Sequence, residues 1–361
     1  MSEWKEYKLG EVLSIKYGKD HKRLADGNIP IYGSGGIMRY GEKSLYSGPS
    51  ILIPRKGSLN NIMYLDKPFW TVDTMFWTII NEDIANPLFV YYAICKRDFA
   101  SLNVGSAVPS LTVPVIEDIN ILLPSRKIQD KIVDILSSLD DKIAVNRKIN
   151  ENLEQQAQAL FKSWFVDFEP FKDGEFEESE LGRIPKGWKV GTLGELSTFK
   201  RGKVITKKDV EEGNIPVVAG GMEPAYYHNV ANTKSPVITI SASGANAGFC
   251  RLYYEDVWAS DCSYIDSSNK YIYWTYCFLQ INKRLLRHAQ TGAVQPHVKP
   301  GDINSFNIVK PDERYLEEFN KKVTPYFAEI ANKTREINTL SQLRDTLLPK
   351  LMSGELKVNE I

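Results

Sequence analysis

A stretch near the start of the chain, "WKEYKLGEVLSIKYGK" at Trp4–Lys19, decides the fold because a similar stretch, "WKVGTLGELSTFKRGK", occurs again in the same chain at Trp188–Lys203. Tryptophan, Leu-Gly-Glu and Gly-Lys recur at one fixed offset of 184 residues, from Trp4 to Trp188. Further landmarks keep the same order in both copies: "NIPIYGSGGIM" with "NIPVVAGGM", "ILIPRKGSLNNIMY" with "VITISASGANAGFCRLYY", "FWTVD" with "VWASD", and "GSAVPSLTVPVIEDINILLP" with "GAVQPHVKPGDINSFNIVKP". Ordered landmarks of this kind indicate an internal duplication.

Length and composition agree with a duplicated globular protein. A chain of 361 residues suggests two domains plus connectors, and its 43% hydrophobic and 25% charged residues are typical of soluble proteins. No run of eighteen apolar residues and no signal peptide are found, so we expect a cytoplasmic protein that does not enter a membrane. Four cysteines without C-x-x-C spacing and four dispersed histidines predict buried thiols, no metal site and no cofactor.

A net charge of zero hides an uneven distribution. Residues 126–180 carry 8 basic and 13 acidic side chains, whereas residues 181–310 carry 16 basic and 10 acidic ones. The basic excess in the second copy is either an ordinary solvated surface or a face for a polyanion.

Each copy has the pattern of a mixed α+β domain. Short runs rich in β-branched residues and bounded by Gly, Pro, Asn or Ser predict strands, such as "SILIP", "INILLP", "SPVITIS" and "FNIVKP". Longer segments such as "NPLFVYYAICKRDFASL" have helical spacing.

A long amphipathic segment follows each copy. Apolar residues at alternating three- and four-residue steps form the first stripe, with Asn146 and Asn150 near its middle: Ile132, Leu136, Leu139, Ile143, Leu153, Ala157, Leu160 and Trp164. The second stripe is Leu316, Phe319, Val323, Tyr326, Ile330, Ile337, Leu340, Leu347 and Leu351, and Pro325 within it should kink or delay the helix. Helices of roughly 55–60 Å need a partner. We therefore predict an antiparallel two-helix coiled coil separating two domains, with pseudo-two-fold symmetry; the alternative is a helix packed onto its own domain.

Three motifs resemble the conserved regions of specificity subunits of Type I restriction-modification systems. They are "ALFKSWFVDFEPF" at Ala159–Phe171, "GWKVGTLGEL" at Gly187–Leu196 and "LRDTLLPKLMSGEL" at Leu343–Leu356, and the resemblance covers essentially the whole chain. It implies a first target-recognition domain at 1–126, a conserved helix at 127–168, a linker and second recognition domain at 169–311, and a second conserved helix with a tail at 312–361.

The resemblance also implies a function without catalysis. A non-catalytic specificity subunit would read a bipartite asymmetric site on double-stranded DNA, one half with each domain. It would position two copies of the methyltransferase (M) subunit, which methylates adenine, and the motor-nuclease (R) subunit.

Two kinds of DNA contact are predicted at matching points of the two copies. Basic loops suited to phosphates contain Lys16, Lys19, Lys22 and Arg23 in the first copy and Lys200, Arg201, Lys203 and Lys207 in the second. Polar candidates near base edges are Ser34, Arg55, Lys56, Ser58 and Asn60 in the first copy, and Ser241, Ser243, Asn246, Gln295 and His297 in the second. "ISASGANAG" offers no arginine opposite Arg55, a difference that two unlike half-sites would require. Charged loops, a tight turn, a surface salt bridge and a solvent-facing histidine are the alternatives.

The ends of the long helices carry a candidate surface for the other subunits. Its members are Phe161, Trp164, Phe165, Phe168, Leu347 and Leu351. The alternative is a hydrophobic anchor onto the neighbouring domain, and the two roles are compatible.

Two other classes of protein remain as rivals. A methyltransferase needs an Asn-Pro-Pro-Tyr/Phe or Asp-Pro-Pro-Tyr motif, which is missing, and Asp345 with Glu355 and Lys357 imitates nuclease spacing only on a helix and in a tail. A coiled-coil scaffold that binds only protein would not need the duplicated basic loops.

Overall fold

The computed structural model describes residues 4–105, 107–290 and 296–358. The chain divides into two compact units, of which the first is Met1–Ala144 with Ile337–Ile361 and the second is Val145–Glu336. Within the described ranges, no helix is long and apolar enough to cross a membrane.

The first unit builds two small sheets and a strand pair. Its elements are β1 (Lys5–Lys8), α1 (Leu9–Val12), β2 (Leu13–Tyr17), β3 (Ile29–Gly33), β4 (Gly36–Gly41), β5 (Ser50–Pro54), β6 (Met63–Leu65), β7 (Trp70–Thr71), β8 (Met75–Ile80), α2 (Pro87–Ile94), α3 (Val113–Glu117) and β9 (Asn120–Leu123). The sheets have the orders β2-β8-β5-β6 and β4-β3-β7, and β1 pairs with β9. Among the strands of this unit that the structure describes, pairing is antiparallel except between β3 and β7, which run parallel.

The second unit repeats this plan after one long helix, α4 (Arg126–Phe165), which both units share. Its elements are β10 (Phe176–Ser179), β11 (Gly182–Pro185), β12 (Lys189–Thr192), α5 (Leu193–Leu196), β13 (Lys200–Arg201), β14 (Ile215–Val218), β15 (Tyr226–His228), β16 (Val237–Ser241), β17 (Cys250–Tyr253), β18 (Trp258–Ala259), β19 (Cys262–Ile265), α6 (Ile272–Ile281), α7 (Lys283–His288), α8 (Pro300–Asn304), β20 (Asn307–Lys310) and α9 (Glu313–Ser353).

Strand order confirms the duplication. The sheets β13-β19-β16-β17 and β15-β14-β18 and the pair β12-β20 have the orders of their counterparts in the first unit. The parallel pairing of β3 with β7 recurs as well, between β14 and β18. The second unit also contains the hairpin β10-β11.

The repeated Gly-Lys motif has a steric cause. A Cβ added to Gly18 would lie 1.9 Å from the carbonyl oxygen of Val72, and one added to Gly202 would lie 2.2 Å from that of Ser260. Only glycine allows the chain to cross so close to a neighbouring backbone. The motif that revealed the duplication therefore marks the same backbone crossing in both units.

The two long helices contact each other in both units and run antiparallel in the second. In the first unit Arg344 of α9 bonds Asp140 of α4 at 2.7 Å. In the second unit Asn150 contacts Thr334, and Phe161 packs on Phe319 further along. In the second unit, later residues of α4 therefore contact earlier residues of α9, as in an antiparallel helix pair.

Pro325 does not delay the second long helix. α9 begins upstream of it, at Glu313, and continues to Ser353. One missing N–H donor is tolerated because the helix is long and packed: Val323 and Phe327, on either side of the proline, are fully buried.

Each unit has its own apolar core. The first is formed by residues of α1, β2, β5, β8 and α2 with Ile132 and Leu136 of α4 and Leu348 and Leu351 of α9. The second surrounds Trp274 and includes residues of α6, β16, α4 and α9. In each unit, residues of the long helices and of the mixed α+β part therefore share one apolar core.

Candidate nucleic-acid interface

Basic side chains gather at the end of β2 in the first unit. Lys16 lies on β2, Lys19, Lys22 and Arg23 follow in the next loop, and all four are exposed. Asp20 lies in this loop, where the backbone N–H of Lys22 donates to its carboxylate at 3.0 Å and lowers the pKa of Asp20. The loop stays net positive at neutral pH, as contact with phosphates requires.

The Gly-rich turn lines a pocket with a volume of about 760 Å³ beside this loop. Ser34 and Met38 of the β3–β4 hairpin lie there with Lys22 and Asp73. The side chains of Ile37 and Met38 are 50% and 58% exposed. Apolar groups beside basic ones suit thymine methyl groups and base faces. Sequence reasoning missed both residues because an apolar pair after a turn is ordinary strand sequence.

Arg55 lies directly after β5 and is held from two sides. Its Nη1 donates to the backbone carbonyl of Asp73 at 3.2 Å, and its guanidinium carbon lies 5.5 Å from the centre of the Tyr17 ring. That ring packs edge-on against Phe76 at a centroid distance of 5.1 Å. Arg55 is only partly exposed.

The other polar candidates after β5 differ in how available they are. Lys56 and Ser58 are exposed. The amide of Asn60 is engaged within the unit, because its Nδ2 donates to Asp98 at 3.1 Å and its Oδ1 accepts from the backbone N–H of Ala100 at 2.9 Å. Asn60 therefore holds the loop in place.

The second unit has a matching basic surface. Lys200 and Arg201 form β13, Lys203 and Lys207 follow in the next loop, and all are exposed. The indole N–H of Trp258 donates to the carbonyl of Lys203 at 2.8 Å, and the Lys203 ammonium lies 5.8 Å from the centre of that ring.

Arg201 belongs to a small polar network. It forms a salt bridge with Asp261, in the turn between β18 and β19, while 45% of its side chain stays exposed. Ser243 Oγ donates to the other carboxylate oxygen of Asp261. Ser241, by contrast, is buried, and its hydroxyl donates to the carbonyl of Gly220 at 3.0 Å, so it holds the turn after β14.

The remaining candidates of the second unit lie around Ser243. Asn246 ends a short 3-10 turn at Gly244–Asn246, and the exposed His297 forms a β-bridge with Ser243. Gln295 lies outside the described residues.

Backbone hydrogen bonds identify the first pair of corresponding positions. The N–H of Gly18 donates to β8 and that of Gly202 to β19, both at 2.9 Å. The preceding residues, Tyr17 and Arg201, therefore correspond. Asp73 and Asp261 end the landmarks "FWTVD" and "VWASD" and also correspond.

A second pair of corresponding positions follows β5 and β16. The N–H of Leu111 donates to the carbonyl of Arg55 at 2.9 Å, and that of Val298 donates to the carbonyl of Ala242 at 3.0 Å. Arg55 therefore corresponds to Ala242, which is buried. The first unit has its arginine after β5, whereas the second has it on β13.

The aromatic residues at the end of α4 pack inside the second unit. Phe161 is 1% exposed and contacts Phe165, Trp274 and Phe319, with ring centroids 5.1 to 5.9 Å apart. Phe165 is buried as well. These two side chains anchor α4 to its core.

The other residues of the candidate subunit surface are more accessible, with one exception. Trp164 and Phe168 are half-buried, and the Lys322 ammonium lies 5.8 Å from the centre of the Trp164 ring. In the first unit Leu347 is half-buried, whereas Leu351 is fully buried.

Within residues 4–105, 107–290 and 296–358, no three His, Cys, Asp or Glu side chains are arranged to hold a metal ion. The fold and this surface define a duplicated α+β protein whose two units expose matched basic loops and different side chains at corresponding positions. The family described as the type I restriction modification DNA specificity domain matches residues 1–155 and 185–342. The chain belongs to this family and is a specificity subunit of a type I restriction-modification system, a non-catalytic component.

Named relatives agree with this assignment. The chain is 30% identical over 340 residues to the type I restriction enzyme MjaIX specificity subunit of Methanocaldococcus jannaschii, which covers 86% of this chain and 78% of that relative. It is 22% identical to the HindI specificity subunit of Haemophilus influenzae, with 99% and 100% of the two chains covered. A crystal structure of a type I S subunit from M. genitalium has the same fold, with a TM-score of 0.63, 19% identity and coverage of 97% and 96%. The predicted α+β class with two recognition domains is confirmed.

Proposed function

We propose that this specificity subunit reads a bipartite, asymmetric site on double-stranded DNA, with one half bound by each unit. The observation that carries this proposal is the combination of one backbone plan with different side chains at corresponding positions. Tyr17 and Arg55 in the first unit correspond to Arg201 and Ala242 in the second. A shared backbone plan gives both units the same way of approaching DNA, and different side chains give them different base preferences.

The basic loops supply the binding that does not depend on sequence. Lys16, Lys19 and Lys22 in the first unit and Lys200 and Lys203 in the second are exposed on matched segments. Lysine at a phosphate contact fixes the register of a protein on the duplex without reading bases. Replacing any one of them should weaken binding to all sequences alike and make binding less sensitive to salt.

The partners in this proposal are two methyltransferase subunits, which modify adenine, and a motor-nuclease subunit. The half-buried Trp164, Phe168 and Leu347 are the predicted interface residues that retain exposed area. Phe161 and Phe165 are buried beneath Trp164 and Phe168 in the second unit, and Leu351 is buried near Leu347 in the first.

Selection of binding sites from a random duplex library tests the proposal. The chain, assembled with its methyltransferase subunits, should enrich two short conserved elements with unlike sequences at a fixed separation. Enrichment of no sequence at all would contradict DNA reading, and enrichment of one uninterrupted element would contradict the bipartite site.

A further inference from the structure

Each unit places one arginine at the same turn, but the two arginines come from different strands. We name this turn the acidic loop; it contains Asp73 between β7 and β8 in the first unit and Asp261 between β18 and β19 in the second. Arg55 reaches it from the end of β5, and Arg201 reaches it from β13.

In the second unit both carboxylate oxygens of the acidic loop are occupied. Asp261 Oδ1 accepts from Arg201 Nη2, and Asp261 Oδ2 accepts from Ser243 Oγ. A carboxylate fixed at both oxygens holds the arginine in one orientation, and the rest of the guanidinium fork keeps donors for another acceptor pair. With 45% of the Arg201 side chain exposed, that fork is accessible.

In the first unit, no carboxylate of the described residues forms a salt bridge with the arginine. Arg55 donates to the backbone carbonyl of Asp73 and lies against the ring of Tyr17, which is 54% exposed. A carbonyl and an aromatic face orient the guanidinium but do not neutralise it. Its charge therefore remains available to an electron-rich group outside the protein.

We propose that Arg55 and Arg201 are the specificity-determining residues of the two units, each reading one guanine, with Tyr17 and Asp261 as their positioning residues. This inference rests on the proposed function. A planar fork of N–H donors matches O6 and N7 of guanine in the major groove, the commonest specific contact between a side chain and a base. The second unit has no arginine after β16, but Arg201 on β13 contacts the same loop. An ion pair that only stabilises the surface does not explain this replacement.

The two directions of approach have a consequence for the half-sites. Because Arg55 and Arg201 reach the acidic loop from different strands, we expect their forks to approach DNA from different directions. The guanine is therefore expected at a different position within each half-site. The asymmetry of the DNA site then arises because the arginine lies after β5 in the first unit and on β13 in the second.

The first test replaces the reading residue and its positioning residue in the second unit. The complex with methyltransferase subunits is incubated with a duplex library randomised in both half-sites, and the methylated sequences are read. Arg201→Ala should lower the preference for one guanine in one half-site by about 10- to 100-fold. Arg201→Lys keeps the charge and loses the fork, so it should show a similar loss. Asp261→Asn should show a smaller loss at the same base.

A charge-matched control separates base reading from phosphate binding. Lys207→Ala removes one positive charge from the same surface and should reduce methylation of all sequences without changing the base preference. An unchanged sequence profile for both Arg201 variants would overturn the inference while leaving the proposed function intact. A wild-type complex that methylates without any sequence preference would overturn the proposed function itself.

The second test transfers the arginine arrangement of the second unit to the first. The double variant Tyr17→Arg with Arg55→Ala gives the first unit the corresponding side chains of Arg201 and Ala242. Its half-site should lose the original guanine and gain one at another position, whereas the other half-site stays unchanged. A half-site that loses the guanine of Arg55 and gains no new one would contradict the exchange between corresponding positions.

Discussion

The side-chain amide of Asn150 donates a hydrogen bond to Thr334 Oγ1 at 3.2 Å, joining the two long helices within the second unit. Asn146, one turn earlier, is fully buried, and in the described part of the chain neither its Nδ2 nor its Oδ1 has a hydrogen-bond partner. A polar residue at such a position favours one helix register at a cost in stability.

Asn146→Leu should therefore raise the free energy of unfolding by about 1–3 kcal/mol, because it removes an unsatisfied buried amide and adds apolar contacts. Urea titration followed by circular dichroism measures the change. Asn150→Leu is the comparison variant: it removes the hydrogen bond to Thr334 Oγ1 together with a buried Oδ1 that has no partner in the described part of the chain, so its gain should be smaller. A loss of stability for Asn146→Leu would mean that its amide has a partner, such as an ordered water.

The backbone crossing at the repeated Gly-Lys motif predicts an intolerant position. Gly18→Ala would place a Cβ 1.9 Å from the carbonyl oxygen of Val72, so the two segments must move apart. The expected loss is about 1–3 kcal/mol in unfolding free energy. Gly35→Ala, where an added Cβ meets nothing within 4 Å, should be nearly neutral. Equal effects of the two substitutions in thermal unfolding would refute the steric explanation.

The anchoring role of the aromatic cluster can be separated from partner binding. Phe161→Ala removes a ring packed between Trp274 and Phe319 and should cost about 3–5 kcal/mol in the isolated chain. Val166→Ala, at a residue 45% exposed on the same segment, should change stability little. If Phe161→Ala left the isolated chain as stable as before and only weakened assembly with methyltransferase subunits, Phe161 would be a docking residue.

Burial makes the cysteines poor nucleophiles. It raises the pKa of Cys95 to about 11 and those of Cys250 and Cys262 to about 12. Because the thiolate is the reactive form, a raised pKa keeps these groups protonated and slow to alkylate at pH 8. Iodoacetamide followed by mass spectrometry should modify the native chain far more slowly than the chain in urea, and Cys95 should accelerate first as the pH approaches 11. Rapid alkylation of the native chain at pH 8 would contradict the burial of these thiols.

The sequence was sufficient for features that depend on local pattern and repetition. Fixed landmarks such as Trp4 and Trp188 predicted the duplication, and the strand orders of the two units agree with it. The apolar stripes predicted two long helices, although Pro325 lies inside α9 and does not delay its start. Periodicity predicted the helices because each stripe must be buried, partly against the other long helix and partly against the core of a unit.

The candidate site was less accessible to sequence reasoning. Comparison of the two sequence copies showed no arginine in the second copy at the position of Arg55. The corresponding residue is Ala242, and the arginine that contacts the acidic loop there, Arg201, lies on another strand. Asp73 and Asp261 were visible only as the ends of two landmarks. Ser241 and Asn60 form hydrogen bonds with backbone groups that are distant in the sequence. A local sequence pattern cannot predict such bonds.

The central claim is that each unit reads its own half of one DNA site. Mapping of methylated adenines in cells that express the chain with its methyltransferase tests it most directly, using the wild type, Arg55→Ala and Arg201→Ala. The wild type should mark one bipartite site with unlike halves, Arg55→Ala should relax only one half, and Arg201→Ala only the other. A single uninterrupted site, or the same half relaxed by both substitutions, would contradict the claim.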